Sequence, residues 1–98
     1  MMTSNPINIC LVDDHQMLMD GLKTILDSTE NFNVLSTFNN PELALKNIPL
    51  LLPDLAILDL DMPRINGIDL AKKLKSILPT LKIIILTMHL DKTTVKRI

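Results

Sequence analysis

The chain is poor in aromatic residues and in cysteine, and these shortages limit the kinds of protein it can be. It has no tryptophan or tyrosine, two phenylalanines and one cysteine in 98 residues. The single cysteine, Cys10, lies within an apolar run, where a thiol is expected to pack as a small apolar group rather than to react. This use of cysteine fits a reducing compartment, and we expect a soluble, cytoplasmic protein.

We also expect neither a targeting segment nor a membrane-spanning segment. The first six residues lack the basic start and continuous apolar stretch of a signal peptide. The apolar stretch around residues 48–58 is interrupted by Pro49, Pro53 and Asp54, so it cannot supply a membrane helix. Ten basic and eleven acidic residues give a net charge of −1, which offers no electrostatic case for nucleic-acid binding by this segment.

What the chain does contain is enough apolar residues for a core. They make up 47% of the sequence, which supports a single domain over residues 1–98. Strand and helix signals alternate, as is typical of βαβ units in an α/β fold with a parallel sheet. Strands are predicted at residues 7–12, 32–38, 55–58 and 82–87. The second is of mixed character, so we expect it near an edge of the sheet.

Apolar residues at helical spacing predict three helices between these strands. The stripes, in chain order, are Leu18, Leu22, Ile25 and Leu26; Ala44, Leu45 and Ile48; and Ile68, Ala71, Leu74, Ile77 and Leu78. Asp14 is predicted to cap the first helix and Asn40 the second, which Pro49 and Pro53 should end. A short fourth helix is expected from Lys92, with Asp91 as its cap.

Three carboxylates and a hydroxyl stand where the apolar runs end. Asp13 and Asp14 follow the first run, Asp59 the third, and Thr87 ends the fourth. Because the carboxyl ends of parallel strands border one crevice, these side chains should converge. Clustered carboxylates repel and stay ionised together only with a cation, most simply Mg²⁺. An aspartate at a strand end can be a plain turn residue, but three of them with a hydroxyl favour a site.

Three motifs resemble the receiver domain of two-component response regulators. They are Leu11-Val12-Asp13-Asp14-His15, then Leu58-Asp59-Leu60-Asp61-Met62-Pro63 with Gly67, then Ile85-Leu86-Thr87. The Asp-Asp-His triplet and Leu86-Thr87-Met88-His89 are most similar to LuxR/NarL-type transcriptional regulators. The resemblance implies a flavodoxin-like doubly wound sheet of strand order 2-1-3-4, from which the family's fifth strand and fifth helix are absent. The chain is thus expected to be a C-terminally incomplete receiver domain.

The resemblance also implies roles for individual residues. Asp59 matches the phosphoacceptor, which a histidine kinase phosphorylates in a Mg²⁺-dependent reaction that switches a downstream, DNA-binding output. Asp14 matches the direct Mg²⁺ ligand, and Asp13 an acid that holds the ion through water. Asp61 matches a ligand through its backbone carbonyl, and Thr87 the switch hydroxyl that bonds a phosphoryl oxygen. Such a domain is not an enzyme in its own right.

In other respects the chain departs from the family pattern. The sequence ends before the family's fifth-strand lysine, and Lys92 and Lys96 are expected on the fourth helix rather than in its place. Phosphorylation of the chain as given should therefore be slow. Without a fifth strand, we expect homo-oligomers through the edge of strand four or the fourth-helix face. His15 is expected to be exposed beside the crevice, without a metal or phosphorelay role.

Two alternatives stay open. Asp59-Leu60-Asp61 also looks like the nucleophile and general-acid motif of haloacid-dehalogenase-type phosphatases, which likewise use Mg²⁺. Chain order argues against it, because a βαβα unit with its own aspartate pair precedes the motif. The other alternative is a receiver-like assembly unit that has lost signalling activity.

Overall fold

A computed structural model describes residues 5–88 and 93–97. The elements are β1 (Ile7–Val12), α1 (Gln16–Asp27), β2 (Phe32–Phe38), α2 (Pro41–Leu51), β3 (Leu55–Asp59), α3 (Gly67–Ile77), β4 (Lys82–Met88) and β5 (Thr93–Arg97). They form one sheet of order β2-β1-β3-β4-β5. The first four strands are parallel, which confirms the predicted 2-1-3-4 order and places β2 at an edge.

The last strand corrects the prediction of a fourth helix. Thr93–Arg97 pairs antiparallel with β4, with Thr94 opposite Thr87 and Lys96 opposite Ile85. The β-branched run Thr93-Thr94-Val95 favours a strand, and a helix of about two turns has little stability by itself. Lys96 is therefore a strand residue. Asp91, Lys92 and His89, for which a cap, a helix start and a surface loop were expected, lie outside the described residues.

This strand also corrects the route expected for self-association. Residues 82–86 of β4 were expected to present an unpaired edge, but the backbone of residues 84–88 pairs with β5. A covered edge does not offer the hydrogen-bonding template that an open one does. With residues 93–97 in a strand, they do not form the fourth-helix face either. In the part of the chain that the structure describes, the edge of β4 is covered over residues 84–88, and residues 93–97 are a strand rather than a helix.

Helices cover both faces of the sheet, because strand residues alternate between two buried clusters. Ile9 and Leu11 of β1 pack with Met19 of α1 on one face. Cys10 and Val12 pack on the other face, with residues of α2 and α3. Cys10 is fully buried, as predicted, and burial raises the pKa of its thiol to about 11. A thiol in this state is inert.

The buried faces of two helices differ from the predicted stripes. In α3 the residues against the sheet are Gly67, Leu70, Ala71 and Leu74, an i, i+3, i+4, i+7 set. Ile68 lies one residue, about 100° of rotation, away from this face and is 41% exposed. Ile25 likewise lies off the buried face of its helix, α1, and is 65% exposed.

One predicted boundary of α2 is confirmed and the other needs correction. Asn40 caps α2 as expected, since its side chain accepts hydrogen bonds from the backbone N–H groups of Glu42 and Leu43. Pro49 does not end this helix but lies inside it, and the helix closes at Leu52, whose φ of 52° is left-handed. The burial of Ile48 in the core holds the last turn in place against the loss of one backbone hydrogen bond at the proline.

Candidate functional site

The carboxyl ends of β1 and β3 bring the predicted aspartates together. Oxygen atoms of Asp13, Asp14 and Asp59, with a ring nitrogen of His15, all lie within 4.8 Å of one another. Asp13 and Asp59 are only 4% and 8% exposed, whereas the side chain of Asp14 is about one-third exposed. The predicted convergence of these three aspartates is confirmed.

Thr87 and Asp61 border the same end of the sheet. Thr87 is 6% exposed in β4 and follows Leu86, the residue opposite Asp59 in the parallel register. Asp61 lines a pocket beside Asp13 and Asp59, and its backbone N–H donates to Asp59 Oδ1 at 3.3 Å. Its side chain is exposed. The roles expected for these two residues remain predictions.

The loop after β3 is held against Asp59 by a glycine. A Cβ at Gly67 would overlap the Asp59 carbonyl oxygen and lie 3.0 Å from the Leu60 Cα. The Gly67 N–H donates to the Leu60 carbonyl at 2.9 Å. Only a residue without a side chain permits this approach, so α3 can begin directly behind the aspartate. Gly67 is therefore required for the packing of α3 behind Asp59.

The start of α1 is organised by Asp13 rather than by the predicted cap, Asp14. His15 occupies the N-cap position without a side-chain cap, and its backbone N–H donates to Asp13 Oδ1 at 2.7 Å. A carboxylate two residues earlier thus satisfies a donor at the helix entrance. This leaves the Asp14 side chain available to a ligand in the crevice.

His15 lies closer to the three carboxylates than a surface position beside the crevice implies. Its ring is 67% exposed, as expected, yet Nδ1 lies 2.8 Å from Asp13 Oδ1, 3.1 Å from Asp14 Oδ1 and 3.7 Å from Asp59 Oδ2. The hydrogen bond and charge of Asp13, followed by the charge of Asp14, raise the pKa of His15. The signal available in the sequence was its place directly after the aspartate pair.

The environment of Asp59 disfavours its charge. Burial, and next the charge of Asp13, raises the pKa of the Asp59 carboxyl to about 6, although the hydrogen bond from Asp61 lowers it. Asp59 Oδ2 is buried and has no hydrogen-bond partner among the described residues. An oxygen of this kind, grouped with two further carboxylates, has the chemistry of a cation ligand. The residues present therefore fit a divalent metal ion.

An open pocket of about 360 Å³ lies over these groups. Its lining residues are Asp13, His15, Met17, Leu18, Asp59 and Asp61. This space exceeds what one metal ion needs, since a water molecule occupies about 30 Å³ in the liquid. A hydrated ion and a small anionic group can occupy it together.

The sequence matches the family described as "Response regulator receiver domain" over residues 9–98. The chain belongs to this family. The predicted resemblance is thus confirmed, and receiver domains are signalling modules that histidine kinases phosphorylate rather than dedicated enzymes. The match favours a receiver over the haloacid-dehalogenase-type alternative.

Curated relatives of this receiver include transcriptional regulators. The chain is 31% identical over 94 residues to the transcriptional regulatory protein DegU of Brevibacillus brevis, which covers 96% of the chain and 40% of the relative. It is 36% identical over 75 residues to the nitrate/nitrite response regulator NarL of Escherichia coli K12, covering 76% and 35% respectively. The chain therefore spans about two fifths of these relatives or less. The predicted likeness to LuxR/NarL-type regulators is confirmed.

Solved receiver structures have the same fold. The signal receiver domain of the NarL regulator from Mycobacterium tuberculosis superposes with a TM-score of 0.81 at 26% identity, over 88% of this chain and 69% of that one. The isolated REC domain of RcsB from Salmonella enterica gives a TM-score of 0.80 at 35% identity, over 88% and 64%. In the described part of this receiver, no helix has the length and apolar character needed to cross a membrane.

Proposed function

We propose that this receiver is phosphorylated on Asp59 in a Mg²⁺-dependent reaction and thereby switches the output of a response regulator. The observation that carries the proposal is Asp59 Oδ2, a buried oxygen without a hydrogen-bond partner among the described residues. Two further carboxylates, of Asp13 and Asp14, lie within 4.8 Å. The unused lone pairs of Asp59 Oδ2 are available to a cation or to an electrophilic phosphorus.

Four residues would hold the ion. Asp14, Asp59 and the backbone carbonyl of Asp61 are the proposed direct ligands, and Asp13 would act through water. Asp13 Oδ1 already accepts two hydrogen bonds from His15, which suits an outer role. When bound, Mg²⁺ neutralises the carboxylates and the equatorial phosphoryl oxygens. A cation at these oxygens lowers the pKa of Asp59 from about 6 and favours the ionised form.

The transfer itself requires an ionised carboxylate aligned with the phosphoryl donor. A carboxylate oxygen of Asp59 forms a bond to phosphorus while the bond from phosphorus to the donor histidine nitrogen breaks. The nitrogen keeps the bonding electron pair and takes a proton, and Asp59 becomes an acyl phosphate. The loop behind Asp59, fixed by the close approach of Gly67, keeps the aspartate in position. The Thr87 hydroxyl is proposed to bond a phosphoryl oxygen afterwards.

Partners and output follow from the relatives. We infer a histidine kinase as phosphodonor, a cytoplasmic location, and a DNA-binding output that is carried outside this segment. DegU is named as a transcriptional regulatory protein and NarL as a nitrate/nitrite response regulator, and both are longer than the match. A net charge of −1 supports an output that does not use this domain to bind nucleic acid.

Phosphotransfer tests the proposal directly. The protein at its natural length is incubated with acetyl phosphate and Mg²⁺, and addition of one phosphoryl group is followed by intact mass. Asp59→Asn should abolish the addition, since an amide is not a nucleophile. Asp61→Ala should retain it, because only a backbone carbonyl is used at that position. Labelling that persists in Asp59→Asn, or none in the unsubstituted protein, contradicts the proposal.

The same variants separate a receiver from a phosphatase. A haloacid-dehalogenase-type enzyme would turn over p-nitrophenyl phosphate and would lose that turnover in Asp61→Ala, which removes the general acid. We expect no sustained turnover by the unsubstituted protein. Sustained release of p-nitrophenol that depends on both Asp59 and Asp61 would favour the phosphatase.

A further inference from the structure

A strained turn lies in the loop that leads from Asp59 to α3. Arg64 has a φ of 71°, in the left-handed region that residues with a side chain seldom adopt. The Ile65 N–H donates to the Pro63 carbonyl at 2.8 Å, which closes a three-residue γ-turn around Arg64. A γ-turn with a positive φ at its centre is rare and strained. Such a conformation persists only where surrounding contacts hold it.

The two ends of this loop are fixed independently of the turn. Met62 packs in the core cluster beneath the sheet. At the other end, the Gly67 N–H donates to the Leu60 carbonyl at 2.9 Å, and the Asn66 side chain accepts the Asp69 N–H at 2.9 Å. Residues 63–65 lie between these anchors, so their conformation depends on the contacts that they make themselves.

The side chain of Arg64 ties the turn to α2. Its Nη2 lies 3.1 Å from Glu42 Oε1. Glu42 is in the first turn of α2, where its backbone N–H donates to the side chain of the cap residue Asn40 at 2.8 Å. The two side chains are 64% and 62% exposed, so the ion pair contributes little to the stability of the fold. Its main effect is on the position of the turn.

The turn can affect Asp59 through Asp61, which precedes Arg64 by three residues. The Asp61 N–H donates to Asp59 Oδ1 at 3.3 Å. This distance is slightly beyond the usual range of N–H···O hydrogen bonds, so a shift of the loop by a few tenths of an ångström would break the contact. The orientation of the Asp59 carboxylate therefore depends on the conformation of the loop.

We propose that Arg64 is a positioning residue for the phosphorylation of Asp59. Its ion pair with Glu42 holds residues 63–65 in the strained turn, which keeps the Asp61 N–H on Asp59 Oδ1 and the carboxylate aligned for attack. Without the ion pair the turn relaxes towards an ordinary negative φ, and phosphorylation slows. This role rests on the function proposed above, because it concerns the rate of that reaction.

Exchange of the two charges tests the ion pair. The protein at its natural length is labelled with acetyl phosphate at saturating Mg²⁺, and the rate is followed by intact mass. Arg64→Glu and Glu42→Arg should each slow labelling by about two- to fivefold, the scale on which exposed ion pairs contribute. The double variant, which restores the pair with its charges exchanged, should recover the rate.

A general effect of charge would give a different pattern. Acetyl phosphate is an anion, so an added negative charge would slow labelling and an added positive charge would accelerate it. Changes of opposite direction in Arg64→Glu and Glu42→Arg, or no recovery in the double variant, would therefore overturn the positioning role. Lys23→Glu is the matched control, because it breaks another exposed ion pair, with Asp27 on α1, and changes the net charge by the same amount. It should label at the unsubstituted rate.

Two further variants test whether the turn carries the effect. Arg64→Ala and Arg64→Asn both lack the ion pair, but asparagine tolerates a positive φ far better than alanine does. Arg64→Asn should therefore label faster than Arg64→Ala. Equal rates in these two variants would show that the conformation of the turn is not the cause.

The same labelling experiment distinguishes the failure of the two proposals. If the unsubstituted protein takes up no phosphoryl group, the function proposed above fails, and the positioning role fails with it. If the unsubstituted protein is labelled and Arg64→Glu is labelled at the same rate, the positioning role alone is refuted. Urea unfolding of each variant completes the test: a loss of rate in Arg64→Glu with nearly unchanged stability supports positioning, whereas a loss that only follows unfolding contradicts it.

Discussion

Replacing Asp59 with asparagine should stabilise the metal-free domain at neutral pH. In the native state burial and the charge of Asp13 raise the pKa of Asp59 from its ordinary 3.8 to about 6. Between these values the folded chain binds more protons than the unfolded chain, so stability falls as the pH rises. The loss begins near pH 4 and is complete above about pH 6. Asparagine is never charged, so Asp59→Asn does not lose stability over this pH range.

The size of the effect follows from the same pKa difference. A rise from 3.8 to about 6 corresponds to at most about 3 kcal/mol. The pocket opens to solvent, whose screening reduces the expected gain to about 1 to 2 kcal/mol. In a domain of this size that gain raises Tm by about 5 to 10 °C. Saturating Mg²⁺ should reduce the difference in Tm between Asp59→Asn and the unsubstituted protein. The ion compensates the charge of Asp59, which only the unsubstituted protein carries.

Thermal and urea unfolding at two pH values measure this gain. Far-ultraviolet circular dichroism is the appropriate signal, since the chain has no tryptophan or tyrosine. With a chelator present, Asp59→Asn should be more stable than the unsubstituted protein at pH 7.5 and nearly equal to it at pH 4. Asp20→Asn, at an exposed position of α1, should change stability by less than about 0.5 kcal/mol. A gain of the same size at both pH values, or none at pH 7.5, would refute the electrostatic explanation.

Three further predictions concern the ion, the loop behind Asp59 and the start of α2. Mg²⁺ should raise Tm with the logarithm of its concentration once saturating; Asp14→Ala should abolish this rise, and an unchanged rise would exclude Asp14 as a ligand. Gly67→Ala should destabilise by about 1 to 3 kcal/mol, because its Cβ would overlap backbone at Asp59. Gly21→Ala should instead stabilise the protein by about 0.5 to 1 kcal/mol, because there is open space around a Cβ at this position. If urea unfolding shows equal effects at both glycines, steric overlap at Gly67 is not the cause. Asn40→Ala should cost about 1 kcal/mol by removing the cap of α2, whereas a similar loss on replacing the exposed Asn39 would show that the cap is not the cause.

The residues by themselves determined that the three aspartates meet at one end of a parallel sheet, and the resemblance to receiver domains implied the strand order. Apolar runs separated by helical stripes predict parallel βαβ units, whose connections are almost always right-handed. Once β1 and β3 are neighbours, Asp13, Asp14 and Asp59 must meet at their carboxyl ends. The N-cap at Asn40 and the close approach at Gly67 could be predicted as well, since both depend on the chemistry of one residue and its nearest neighbours.

The tertiary structure alone decided which neighbours each of the remaining residues meets. The rotation of α3 about its axis, which buries Leu70 and exposes Ile68, depends on how the helix packs on the sheet. Thr93–Arg97 forms a strand because β4 supplies a pairing partner, in addition to the β-branched residues at its start. The place of His15 among three carboxylates depends on the entry angle of α1. In each case the decisive contact joins one element to another, so the pattern within a single element does not contain it.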